Sequence, residues 1–241
     1  MWKRLVDGQP LTFRLAGINN QNFLMRDEET GSFWQQISGK AISGPYRGRQ
    51  LELVHSDELT FALWREENAR GTVLRPVNDF AAKYEAKNWE ERMRKARTVV
   101  ETKDSPYGPR ELMLGVELGG AARAYIIDRL LKQKLVQDTI GGTPVIVVVG
   151  PDDKSIRVFE ARIQGHEAAP DFYRQEGAAD QATTDPARPI MIDSATGSRW
   201  NFRGCAVGGS ASGQCLRPVP ALKDYWFDWR IYHPDTTVHN K

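Results

Sequence analysis

The sequence predicts a β-dominated α+β protein built from two homologous β-rich halves related by an internal repeat, with a few short helices. Three observations predict it. First, residues 27–73 and 193–238 carry the same wording. Asp27, Thr30-Gly31-Ser32, Trp34-Gln35, Gly39, Ala41, Gly44, Gly48, Leu51, Val54, Trp64 and Thr72-Val73 correspond to Asp193, Thr196-Gly197-Ser198, Trp200-Asn201, Gly204, Ala206, Gly209, Gly213, Leu216, Val219, Trp229 and Thr237-Val238. The offset is 166 residues as far as the first tryptophans, Trp34 and Trp200, and 165 from Gly39 onward, so one single-residue gap aligns the whole stretch. Second, short apolar runs of strand length alternate with glycine-rich turns. Third, the composition is that of a globular chain, 40% hydrophobic and 27% charged over 241 residues, enough to bury a sizeable core. A duplicated unit of this kind implies two similar supersecondary structures packed together.

Taken in order, Leu11–Leu15 and Asn22–Met25 read as strands. Ala41-Ile42 and Gln50–Val54 read as a hairpin around Gly44–Gly48, and Ala206-Val207 with Gln214–Leu216 read as its counterpart. An aromatic helical segment follows each hairpin: Leu59–Asn68, capped by Ser56, and Leu222–Tyr232, stopped by Pro234. Trp64 and Trp229 take equivalent places in these segments and read as core anchors. Between the halves come a polar helix around Trp89–Thr98, a loop at 104–109, a strand at Leu112–Leu118 and a helix near Ile127–Lys134. The apolar strand Val145–Val149 then opens the second half. The loop Gly177–Pro189 is long and polar, as functional or mobile loops often are. The expected organisation is therefore repeat unit one at 1–75, a connecting region at 76–143 and repeat unit two at 144–241, packed as one compact domain.

Charge and composition exclude several classes of function. With 33 basic and 31 acidic residues, the balance offers no electrostatic case for nucleic acid. The basic run Arg92–Arg97 follows Glu90-Glu91 and reads as the solvated face of a short helix. No apolar run reaches the roughly 18–20 residues that span a bilayer, and no signal peptide is visible. The first repeat lacks the apolar strand that precedes the second, which leads us to expect a truncated N-terminus. Cys205 and Cys215 are ten residues apart across a glycine-rich turn, compatible with a disulfide or with two buried thiols.

The repeated Asp-x-x-Thr-Gly-Ser-x-Trp segment is the best candidate site, because it gathers polar groups at a turn. The same residues suit a purely structural turn: Asp accepts from amides two and three residues on, Gly supplies positive φ, and Thr or Ser closes the loop. As a site, Thr30, Ser32, Trp34 and Gln35, with Thr196, Ser198, Trp200 and Asn201, would offer hydroxyls, amides and aromatic faces to a polar small molecule or glycan. Arg110 is a further candidate, orienting either a buried ion pair or a ligand carboxylate. Asp27 and Asp193 are the candidate catalytic groups, one per repeat, which could share a proton and activate water if brought together. The Asp-Thr-Gly-Ser loops of aspartic proteases are worded similarly, but here two residues separate Asp from Thr-Gly, which breaks that geometry. Gly208–Gly213 lacks the frame of a nucleophile elbow and the lysine of a phosphate loop, so it reads as a hairpin turn. His55, His166, His233 and His239 have no metal-ligand spacing, and nothing calls for a metal or cofactor.

These residues resemble the prokaryotic family catalogued as domain of unknown function 3179. The resemblance runs through Phe23–Gln36 with Gly39–Gly44, Arg110–Val116 with Ala124-Tyr125, Gly142–Val149, Asp193–Gly204, and Tyr225–Trp229 with His233–Thr236. It covers essentially the whole chain, apart from an opening strand with a Pro-Leu-Cys or Pro-Leu-Thr segment that is absent here. The resemblance implies a periplasmic or extracellular protein without an established reaction. Three functions follow as expectations: an extracytoplasmic binding protein for a polar small molecule or glycan, a hydrolase using Asp27 and Asp193, or a structural or interaction domain.

Overall fold

The structure is a computed structural model that describes residues 1–84, 87–100, 105–175 and 187–240. Residues 177–186 of the predicted long loop, and Asp104 of the shorter one, lie outside the described residues. The chain is β-dominated, with four short α-helices among the described residues. It groups into two compact units, neither of them continuous in sequence. Unit 1 comprises Met1–Ser56, Arg97–Arg110 and Tyr225–Pro234; unit 2 comprises Asp57–Ala96, Glu111–Asp224 and Asp235–Lys241.

Unit 1 begins with the hairpin β1 (Leu5–Val6) and β2 (Gln9–Pro10). A four-stranded sheet follows, β3 (Phe13–Asn19), β4 (Asn22–Asp27), β5 (Phe33–Gln35) and β6 (Ala41–Ser43), paired in sequence order and antiparallel throughout. Its core gathers Val6, Leu11, Trp34, Ala41 and Leu51, with Trp2, Phe13, Met25 and Tyr46 packed around them. Leu11 and Trp34 are wholly buried. Burial of a ring of this size, edge-on to Phe13 at 5.8 Å, is the largest single apolar contribution available to so small a sheet. The second arm predicted at Gln50–Val54 does not form a strand. It is held by single bridges, Lys40 to Gln50 and Trp2 to Leu53.

Unit 2 contains α1 (Phe61–Glu67), α2 (Trp89–Lys95), β7 (Leu112–Leu118), β8 (Ala121–Ile126), α3 (Ile127–Gln133), β9 (Leu135–Ile140), β10 (Thr143–Val149) and β11 (Ile156–Glu160). It continues with β12 (Phe172–Arg174), β13 (Pro189–Asp193), β14 (Arg199–Asn201), β15 (Ala206–Gly208) and β16 (Ala221–Tyr225). After α4 (Trp226–Tyr232), which belongs to unit 1, the chain returns to unit 2 as β17 (Thr237–Val238). The sheets run in the orders β11-β10-β9, β12-β13-β14-β15 and β16-β7-β8-β17. β10 reads as an unbroken apolar run because both faces are covered. Ile146 and Val148 enter one buried cluster with Phe159, Met191 and Trp200, while Val145, Val147 and Val149 enter another with Val116, Tyr125 and Ile140.

Two predicted helices need correction. The first is capped by Thr60 rather than Ser56: its hydroxyl accepts from the Leu63 amide at 3.4 Å and donates to Asp152 at 2.6 Å. Leu63 is fully buried, whereas Trp64 is only half-buried and stacks on the exposed Phe61, so Leu63 is the core anchor. The second, Leu222–Tyr232, is strand up to Tyr225 and helix only from Trp226, because its first residues join the β7 edge. The 3-10 turn at Asn78–Lys83 was not predicted.

Candidate functional site

Both Asp loops are tight turns between antiparallel strands, β4 to β5 in unit 1 and β13 to β14 in unit 2. In each, the Asp amide donates to the serine carbonyl, at 3.0 Å for Asp27 to Ser32 and 3.2 Å for Asp193 to Ser198. The following glycine amide donates back to the Asp carbonyl at 3.1 Å in both. Gly31 and Gly197 have φ of +74° and +62°, the left-handed conformation that a side chain disfavours.

Among the described residues, each carboxylate accepts hydrogen bonds from its own loop and from the tryptophan of the strand that follows it. Asp27 Oδ1 accepts from the Thr30 amide (2.6 Å), the Thr30 hydroxyl (2.8 Å) and the Gly31 amide (3.1 Å), and Oδ2 accepts from Trp34 Nε1 at 2.7 Å. Asp193 Oδ1 accepts from the Thr196 amide at 2.6 Å. Its Oδ2 accepts from the Thr196 hydroxyl (2.7 Å), the Ser198 amide (3.1 Å) and Trp200 Nε1 (2.8 Å). Asp27 is 0% and Asp193 2% exposed. Burial pushes each carboxyl upward, but the indole, hydroxyl and amide donors outweigh it and hold both below the ordinary aspartate value.

The serines extend each loop into the next turn. Ser32 Oγ accepts from the Tyr46 amide at 3.0 Å and Ser198 Oγ from the Ala211 amide at 2.9 Å. That contact explains Gly44 and Gly209. Beyond their positive φ, a Cβ at Gly44 would sit 2.6 Å from Ser32 Cα, and one at Gly209 would sit 2.5 Å from Ser198 Oγ.

The predicted site residues separate into three groups. Thr30, Ser32 and Trp34 converge on Asp27, as Thr196, Ser198 and Trp200 converge on Asp193. Ser32, Trp34, Ser198 and Trp200 have no exposed surface, so of these six side chains only Thr30 and Thr196 reach solvent in part. Gln35 and Asn201 serve the neighbouring turns: Gln35 donates to Asn19 and accepts from Ser38, while Asn201 Oδ1 accepts from the Arg203 and Cys205 amides. Arg110 packs its guanidinium over the rings of Tyr225 and Phe227, 5.0 Å from each centroid. Cys205 and Cys215 face each other across an isolated bridge and form a disulfide.

Sequence reasoning missed three polar clusters. Arg157 reaches Asp57 and Glu67, both at 2.7 Å. Asp138 gathers Arg123, Tyr125 and His239. The buried Asp228 accepts from Asn22 Nδ2 at 2.5 Å. Short motif spacing does not find them, because the bonded partners lie between 13 and 206 residues apart in the chain. Among the described residues, no group of three or more His, Cys, Asp or Glu is placed to hold a metal ion, and no helix is long and apolar enough to cross a membrane.

No curated protein and no solved structure matches this chain. The family described as "Protein of unknown function (DUF3179)" matches residues 1–236, nearly the whole length, and the chain belongs to that family.

Proposed function

We propose that this chain is an extracytoplasmic binding protein for a polar small molecule or glycan, with each Asp loop acting as a rigid brace beneath a ligand surface of its own unit. One observation carries the reading. The oxygens of Asp27 and Asp193 are engaged by their own loops and closed to solvent, which leaves neither carboxylate placed to activate water or protonate a leaving group. The loop edges offer the half-buried Thr30 and Thr196 beside the exposed Arg26 and Arg199. Arg26 lies over the Phe33 ring at 5.9 Å. A guanidinium and an aromatic face suit hydroxylated or carboxylated ligands. The Cys205–Cys215 disulfide supports an oxidising, extracytoplasmic setting.

The test is a melting-temperature screen against neutral sugars, uronic acids and amino acids. A ligand should raise Tm in the wild type, and the shift should shrink in Arg26→Ala and Arg199→Ala chains that still fold. The hydrolase reading is favoured instead if the wild type turns over chromogenic esters or glycosides and a folded Asp193→Asn chain does not. A purely structural or interaction domain is the second reading, supported by the complete burial of Ser32, Trp34, Ser198 and Trp200. It is favoured if no ligand moves Tm and Asp27→Asn and Asp193→Asn change stability alone.

A further inference from the structure

Strand β17 is two residues long, yet it pairs in parallel with the free edge of β8, with Thr237 opposite Arg123 and Val238 opposite Ala124. The next amide, that of His239, donates to the Ala124 carbonyl at 2.9 Å. A parallel ladder of this length contributes little by itself, so side chains must hold the segment in place. Arg123 Nη1 donates to Thr237 Oγ1 at 3.0 Å, and that hydroxyl lies 3.4 Å from the Ala122 carbonyl oxygen. The His239 ring packs on Tyr125 with centroids 5.3 Å apart, and its Nδ1 lies 3.2 Å from Asp138 Oδ2.

The groups that form the seat are also bonded to one another. Asp138, on β9, accepts from the Tyr125 hydroxyl at 3.0 Å and pairs with Arg123 Nε at 3.0 Å, both on β8. It also accepts from the Thr139 amide at 2.8 Å. Burial, with Asp138 alongside, pushes the Tyr125 phenol well up, so it stays a neutral donor. The β8 edge therefore presents main-chain carbonyls between a fixed guanidinium and a fixed carboxylate. Main-chain bonds of this kind supply affinity in strand addition, and the side-chain seats supply selectivity.

We propose that the β8 edge is a strand-addition site for an extended peptide carrying Thr-x-His, and that Thr237–His239 occupies it in cis as a displaceable guard. The hydroxyl is read by Arg123 and the imidazole by Asp138 and Tyr125. The guard also covers main-chain groups of the edge that would otherwise stand unpaired.

The test uses the full-length chain and a fluorescent Thr-Thr-Val-His-Asn peptide, the sequence of residues 236–240. Binding should be saturable, and should weaken about tenfold or more when the peptide carries Ala for His, as expected for loss of a bond to a charged group. A His239→Ala chain, whose guard is loosened, should bind the intact peptide more tightly than the wild type, and Asp138→Asn should bind it more weakly. In native-state hydrogen exchange, the His239 amide should open well before the β7–β8 ladder. The proposal is overturned if the wild type and His239→Ala chains both ignore the peptide, if a scrambled peptide binds equally well, or if His239 exchanges only with global unfolding.

Discussion

Trp200 Nε1 donates to Asp193 Oδ2 at 2.8 Å from a position with no exposed surface. The indole is therefore both the apolar centre of its sheet and a ligand of the loop carboxylate. Trp200→Phe keeps most of the ring volume but removes that donor from a buried carboxylate. Chemical denaturation should show a loss of about 1–3 kcal/mol, and Trp34→Phe should behave alike against Asp27.

Acid should destabilise the chain through the same two loops. Both carboxyls are held below the ordinary aspartate value, so their stabilisation is complete above about pH 4 and is lost as pH falls through the lower, folded-state values. Stability measured from pH 5 downward should fall in the wild type. Asp193→Asn should be less stable at neutral pH, by about 2–4 kcal/mol, with a flatter acid branch.

Gly209 and Gly213 both have positive φ, but only Gly209 also lies against Ser198. Gly209→Ala should cost about 2–4 kcal/mol from conformational strain plus overpacking. Gly213→Ala, with nothing within 4 Å of the new methyl, should cost about 1–2 kcal/mol from backbone strain alone. Comparative thermal melts of the two variants check this.

Arg157 is the hub of the loop entering α1. Its guanidinium lies 2.7 Å from both Asp57 and Glu67 and 4.7 Å from the Phe202 ring centroid. Burial works against its charge, but the bonds it donates to Glu67 and Asp57 prevail and raise its pKa. Arg157→Met leaves Glu67 almost wholly enclosed without its partner, and should cost about 3–5 kcal/mol in equilibrium unfolding.

The Cys205–Cys215 disulfide closes a loop with a sequence separation of 10. On a loop-entropy basis it contributes about 2–3 kcal/mol. Melting with and without reductant, and of the Cys205→Ser/Cys215→Ser double variant, should show a matching loss.

Much of the strand content was legible because local pattern and burial agree. Leu112–Leu118 forms with the bounds that its apolar run predicted, and Val145–Val149 lies within β10. The Asp loops were legible because their bonds close within eight residues, from Asp27 to Trp34 or Asp193 to Trp200. What escaped was set by distant partners. Thr60 is chosen over Ser56 as a helix cap by Asp152, 92 residues on. Leu222–Tyr225 becomes strand because the β7 edge is open to it, although its own sequence runs smoothly into a helix. Within the candidate site, Thr30 and Trp34 bond to Asp27, and Thr196 and Trp200 to Asp193, all four named from the sequence as ligand-facing groups. The sequence could not say that most of them face inward, because the same hydroxyls and indoles serve a turn or a ligand equally well.

The interleaving of the two units along the chain sets a timetable for folding during synthesis. Unit 1 opens at Met1 but draws its last segment from Tyr225–Pro234, and Asn22 bonds to Asp228, 206 residues downstream. A ribosome that has released the first sheet must make nearly all of unit 2 before unit 1 can close. Domains usually complete in N- to C-terminal order; here the first-born sheet waits, its loop closure among the longest the chain allows. A nascent chain stopped short of Tyr225 should therefore hold unit 2 complete but for β17 and unit 1 still without α4, the state most exposed to chaperones and proteases.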